Sequence, residues 1–362
     1  MTAAGILHLR LENQRLARAS FRKPEDVVAW FGAVQAQDYL GCLWGIGQRT
    51  KACTEQVIEA AETKRTIIRT WPMRGTLHFV AAADARWMTR LLAPRVLARN
   101  AARMQRDFKV DAKVIGRSRE VLARVLEGGR RLERTAIYEA LDARRIRTDN
   151  SRGLHILLWL AMEGVLCLAG RQGKQHTFAM LDDWVPPTPP LERGEALAKL
   201  ALRYFTSHGP ATMRDFVWWT GITVKDAQAA IDGVRSALAH EVIEGATYWR
   251  HEPQERPRRS TASTKGAPQV RLLPAFDEYT VGYHDRSMLL GEATGRSKMM
   301  LLNPVVLLDG RVVGTWRRVI DKQSVSINTS LWRTLNRAEH AALQADANRF
   351  AAFLGLGTKL QA

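Results

Sequence analysis

Thr66-Ile67-Ile68-Arg69-Thr70-Trp71-Pro72-Met73-Arg74-Gly75-Thr76-Leu77-His78-Phe79-Val80 is the stretch whose reading decides the fold. Two runs rich in β-branched and aromatic residues flank Pro72-Met73-Arg74-Gly75, so 66–71 and 76–80 are predicted to be strands joined by a turn. Upstream, apolar residues return at helical spacing over 6–19, 26–34 and 54–63. The order is therefore helix-turn-helix followed by a β wing, an arrangement common among DNA-binding proteins.

The same order recurs twice. Helices are predicted at 117–127, 134–143 and 151–163, with strands 165–169 and 175–180 bent by Gly170 and Gly173. A helix over 86–106 connects the first unit to the second. Trp184-Val185-Pro186-Pro187-Thr188-Pro189-Pro190 reads as a stiff linker, because each proline fixes its own φ and biases the residue before it away from helix. Beyond it, 191–208, 213–220 (capped by Thr212) and 223–236 are helical and 238–243 and 247–250 are strands. Residues 251–269, nearly without apolar side chains, are expected to form a mobile loop. Strand character returns at 270–273, 305–308 and 311–320, with Asp309-Gly310 as a hairpin signal, and 337–354 is a closing amphipathic helix. The expected fold is mainly α with small β wings (α+β), as tandem winged-helix units plus a C-terminal β-rich segment. Its divisions are 1–84, 85–183, 184–250, 251–269 and 270–362.

With 362 residues and 46% hydrophobic composition, the chain has enough apolar surface for several cores, which excludes a disordered tail. A net charge of +18 points to a polyanionic partner. From Arg86 to Arg147, seventeen Lys and Arg face seven Asp and Glu, a net of +10, so over half the excess lies in one segment. Arg95, Arg99 and Arg103, four apart, share one helix face; they suit phosphate tracking as well as a solvated surface. No apolar run is long enough to span a membrane and no signal segment opens the chain, so a cytoplasmic, nucleoid-associated protein is expected. Cys42, Cys53 and Cys167 are too scattered for a disulfide framework or a metal site, and no cofactor is implied.

Candidate chemistry begins at Val34-Gln35-Ala36-Gln37-Asp38. A glutamine amide offers one acceptor and two donors without charge, so Gln35 and Gln37 facing one gap would hold a water or a sugar edge. They would equally satisfy backbone groups at the end of the 26–34 helix. Around them, His78 fits an active-site lining or a backbone-bonded structural role, and Arg74 fits a phosphate contact or a pair with Asp38. Asp277 and Glu278, after Pro274-Ala275-Phe276, fit acid–base work or pairing with the basic excess, a role Asp285 is near enough to share. No serine, cysteine or lysine stands beside a matching base, so a covalent mechanism has no support.

Gln35-Ala36-Gln37, the segment from Trp71 to His78, Leu272-Leu273-Pro274-Ala275-Phe276-Asp277-Glu278-Tyr279 and Asp309-Gly310-Arg311-Val312-Val313-Gly314-Thr315-Trp316-Arg317-Arg318 occur in this order. From about Leu7 to Phe353 the chain resembles the AlkZ-like winged-helix superfamily of bacterial DNA glycosylases. The resemblance implies hydrolysis of the N-glycosidic bond of alkylated purines, in some members crosslinked ones, with Gln35 and Gln37 positioning the water. Glutamine at the third motif position, with Asp38 only afterward, departs from the branch that ends the motif in Asp. The resemblance also implies that the Asp309-Gly310 hairpin enters a DNA groove, with Arg311 and Arg317 holding the paired strand. The expected partner is double-stranded DNA containing alkylated bases, bound by a monomer. A non-enzymatic winged-helix transcriptional regulator is the alternative, and a scaffold using Trp218, Trp219 and Trp316 is a third, although the helical and strand spacing of these residues favours core packing.

Overall fold

A computed structural model describes residues 1–252, 267–291 and 298–361. The chain separates into two compact units, one built from 1–58, 198–219 and 224–362, the other from 59–197 and 220–223. The predicted loop 251–269 lies largely outside the described residues. Among the described residues no helix is long and apolar enough to cross a membrane.

In the second unit the deciding stretch forms the expected hairpin. Ile67–Met73 pairs antiparallel with Thr76–Ala81, and the register shifts between Thr70 and Met73, at Pro72, which has no N–H to donate. Arg74 and Gly75 both adopt positive φ (56° and 74°), the geometry of a two-residue turn that matches strand twist. The next hairpin, Leu166–Gln172 with Gln175–Met180, joins the first through Arg69 opposite Leu168, so the two wings share one sheet. The connecting helix is longer than predicted, Ala82–Phe108, with Pro94 exposed inside it. It buries Ala93 and Met104 in a core with Trp71, Leu122, Ile137, Leu157, Leu160 and Phe178. Asp111 caps Ala112–Val125 by accepting from Val114 N–H at 2.8 Å.

The first unit is organised on a sheet in the order Val270–Leu273, Val305–Leu308, Arg311–Ile320, Ser324–Leu331 and Gly357–Gln361; only the last pairing is parallel. The closing helix Arg337–Leu354 starts in a capping box of Asn336 and Glu339 and sets Phe350 and Phe353 against Trp44 at 5.1 and 5.3 Å between ring centres. The indoles of Trp44 and Trp316 donate to the carbonyls of Leu272 and Leu273 at 2.7 and 2.8 Å, tying that layer to the first sheet strand. A smaller sheet joins Ala211–Thr212, Ala246–His251 and Leu238–Ile243. Trp219 and Trp316 are core residues, while Trp218 is 45% exposed.

The helix bounds near the glutamine segment are corrected. The helix predicted over 26–34 runs only Pro24–Phe31; Gly32 at φ 84° ends it, and Ala33–Gln35 is extended. A helix absent from the sequence reading, Tyr39–Gly47, follows. In the Asp309-Gly310 turn, Gly310 is packed: its carbonyl accepts from the Tyr279 hydroxyl at 3.0 Å and it lies against Leu7 and Leu11 of the helix Ala3–Asn13, while Asp309 and Arg311 are exposed. The neighbouring hairpin end is exposed as well, with Val319 and Ile320 at 54% and 44% beside 321–323.

Gly310 at φ 87° has its missing Cβ 3.0 Å from the Tyr279 hydroxyl and 3.2 Å from Leu7. Gly310→Ala is therefore expected to destabilise the first unit by about 1–2 kcal/mol from backbone strain alone. Urea unfolding followed by tryptophan fluorescence measures it, and an unchanged midpoint would show that the turn relaxes.

Candidate active site

Gln35 closes the extended segment Ala33–Gln35, and Gln37 follows two residues on, in a bend before the next helix. Gln35 Nε2 donates to Gln37 Oε1 at 2.7 Å. The two amides differ in setting: Gln35 is 8% exposed, whereas Gln37 is an exposed residue. Asp38 then ends the segment as the N-cap of Tyr39–Gly47, accepting from Gly41 N–H at 3.1 Å. Both of its oxygens also accept from Arg318 Nη2, at 3.0 and 3.1 Å. The pairing considered for Asp38 with Arg74 is thus replaced by one with a residue of the C-terminal sheet.

Behind the glutamines lies the 274–279 turn. It fits because Gly41 and Gly45, four apart on one helix face, leave room where a Cβ would come within 3.1 Å of Pro274 and 3.2 Å of Asp277. Asp277 receives two parallel bonds from Arg49, Nη1 to Oδ2 and Nη2 to Oδ1, each 2.8 Å, and caps Tyr279 N–H at 2.9 Å. Glu278 Oε1 accepts from the Gln35 backbone N–H at 2.9 Å, and its Oε2 accepts from Trp219 Nε1 at 2.8 Å and faces His208 Nε2 at 3.3 Å. Asp277 and Glu278 are 4% and 1% exposed. Both carboxylates are engaged inside the protein, so they are not placed for the acid–base work weighed from the sequence. Asp285 accepts from Ser287 N–H at 2.9 Å, and its own N–H points to Asp215.

His208, and the role of Trp219 as a donor to Glu278, are what sequence reading missed. Nothing in their local sequence signals it, because Glu278 is some sixty to seventy positions away from each. His208 is stacked on Tyr204 with ring centres 4.6 Å apart. Burial holds its pKa below the ordinary histidine value, outweighing the opposing pull of the Glu278 carboxylate. Neutral His208 bonds to Ser207 Oγ through Nδ1 at 2.8 Å.

Arg74 and His78 belong to the other unit. His78 is buried, donates from Nδ1 to the Thr76 carbonyl at 2.8 Å, and so accepts at Nε2 from Arg74 at 3.3 Å. On the helix Ala82–Phe108, Arg95, Arg99 and Arg103 are exposed. Arg103 is partly engaged by Asp107 at 3.7 Å; Arg95 and Arg99 make no ion pair among the described residues. In the first unit Arg311 lies against Gly291 and Arg317 is exposed.

A family model described as DNA glycosylase AlkZ-like matches residues 28–353. A curated Streptomyces sahachiroi protein named interstrand DNA cross-link repair glycosylase is 26% identical over 333 residues, 87% of either chain. The solved structure of Streptomyces sahachiroi DNA glycosylase AlkZ shares the fold, with a TM-score of 0.78 at 23% identity over the whole of both chains. The α+β class expected from the sequence is the class observed.

Because the folded pKa of His208 is lowered, the unfolded chain takes up a proton near pH 6.5 that the folded chain refuses. The stability this residue contributes is present above that value and declines as pH falls through it. His208→Gln is expected to flatten the fall in Tm between about pH 7 and pH 5. Parallel pH–Tm curves for the two proteins would show that the histidine titrates alike in both states.

Proposed function

The chain belongs to the AlkZ-like DNA glycosylases, hydrolases of N-glycosyl bonds in DNA, and from that premise we propose that it excises cationic alkylated purines, with Gln35 and Gln37 holding the attacking water. The observation that carries the proposal is the 2.7 Å bond between the two amides, with Gln37 exposed. Gln37 Oε1 keeps a second lone pair for a water proton, and its NH2 group is a neutral donor beside it.

The substrate class follows from what such a pair can and cannot do. In an N7-alkylguanine or N3-alkyladenine nucleotide the purine already carries positive charge. As the bond to C1′ breaks, its electron pair returns to the ring and neutralises it, while positive charge develops on the sugar. Water then adds to C1′ and loses its proton to solvent. Positioning is worth more here than activation. Two amides supply no proton to a neutral leaving base, and general-acid assistance is worth on the order of 10²–10⁴ in rate, which puts uracil and hypoxanthine outside the proposal. Crosslinked N7 adducts share the cationic leaving group, and the name of the Streptomyces relative attributes their repair to that protein.

DNA is held, in this reading, by the exposed arginines: Arg95 and Arg99 with Arg103 on one helix, and Arg311 and Arg317 on the C-terminal sheet. The protein works on double-stranded DNA as a monomer.

Gln35→Ala and Gln37→Ala are each expected to slow single-turnover release of 7-methylguanine on the order of 10²-fold, with effects that do not multiply in the double variant. Duplex affinity should stay within a factor of two or so. Near wild-type release from both single variants would sink the assignment.

Removing Arg95, Arg99 and Arg103 together is expected to weaken modified and unmodified duplex alike and to lessen the slope of log K against log salt by about 0.9 for each phosphate that is no longer neutralised. A slope unchanged from wild type would place the helix off the DNA path.

A further inference from the structure

Glu278 lies at the point where the proposed water-holding segment meets the core. The strand Ala33–Gln35 is three residues long and ends at Gln35. The Gln35 N–H donates to a carboxylate, Glu278 Oε1, at 2.9 Å. That carboxylate is held in its turn by the Trp219 indole at 2.8 Å and the His208 ring at 3.3 Å, all within a site where Glu278 is 1% exposed. Charge-assisted bonds of this kind, away from water, are short and directional. The other end of the segment is held separately, by Asp38 on Gly41 N–H and on Arg318. Between these two anchors only the Gln37 residue is exposed.

We infer that Glu278 is a positioning residue for excision, holding the Gln35 backbone so that the Gln35 and Gln37 amides stay in register with the sugar. It never meets substrate, and it acts through the glutamines; the inference therefore rests on the reading of the glutamine pair given above. The bond is to the main chain, so the anchor does not occupy the Gln35 side-chain amide.

Three substitutions in the full-length protein test it by single-turnover release of 7-methylguanine, duplex affinity and Tm. Glu278→Asp withdraws the carboxylate by one methylene from Gln35 N–H. Glu278→Gln keeps the side-chain length and one carbonyl oxygen for that N–H, while its NH2 group opposes the Trp219 donor. Phe353→Leu loosens the same unit at the Trp44 packing, without touching the segment.

The expected result is a release rate reduced on the order of 10²-fold in Glu278→Asp, partly rescued in Glu278→Gln despite an equal or greater loss of Tm, and unchanged in Phe353→Leu, with duplex affinity within about twofold throughout. In a Gln35→Ala/Gln37→Ala background, Glu278→Asp should cost nothing further. Rates that simply follow Tm across the three variants would overturn the inference and make Glu278 a stabilising residue only. An inactive glutamine double variant beside a fully active Glu278→Asp protein would overturn the inference alone. A fully active glutamine double variant would overturn the reading of the pair and this inference with it.

Discussion

Two neighbouring buried carboxylates hold the first unit together. Asp277 takes the fork of Arg49 and Glu278 takes the Gln35 backbone, so one turn near the C-terminal sheet is joined to two elements more than 200 positions earlier in the chain. Each acid is worth most in what its loss would leave behind. Removing Asp277 would strand the Arg49 charge, at a typical cost of about 3–5 kcal/mol, far more than an exposed pair contributes, and removing Glu278 would take away the acceptor of the Gln35 N–H and the Trp219 indole. The turn carries a cost of its own, since Phe276 sits at φ 61°, a conformation that costs a non-glycine residue about 1–3 kcal/mol. The surrounding bonds offset it.

From this constraint the character of the glutamine segment follows. Gln35 is buried because the core side of its backbone is bonded to Glu278, and Gln37 is exposed because the chain turns outward toward the cap formed by Asp38. The two amides bridge that boundary between interior and solvent. A neutral pair can occupy it without the desolvation that a carboxylate or a lysine would suffer. Uncharged groups therefore suit a reaction whose leaving group brings its own charge.

Positive charge is distributed on different terms. Arg10, Arg49 and Arg271 are used internally, on carbonyls and buried acids, whereas Arg95, Arg99 and Arg317 stand exposed. The net charge in the sequence is thus not one quantity: part of it is structural and does not reach a polyanion. The ridge on Ala82–Phe108 belongs to the exposed part, reduced where Asp107 draws on Arg103.

Local pattern was enough for much of the architecture. The deciding hairpin, the repeated order of helices and wings, the long basic helix and the capped closing helix are all set by periodicity, turn residues and charge spacing, which act over a few positions. The Gln35–Gln37 pair was legible as two neutral amides two positions apart, although the sequence favoured a helix up to Val34 and Gly32 decided against it. What the tertiary structure alone decided is the fate of the charged and turn residues. Glu278 became an anchor because His208 and Trp219 meet it, Asp38 found Arg318, and the Asp309-Gly310 turn came to rest on Leu7 and Leu11. Those partners lie from about 60 to 300 positions away. Sequence determines which groups can form a bond, but burial and the closing of distant segments determine which bonds form.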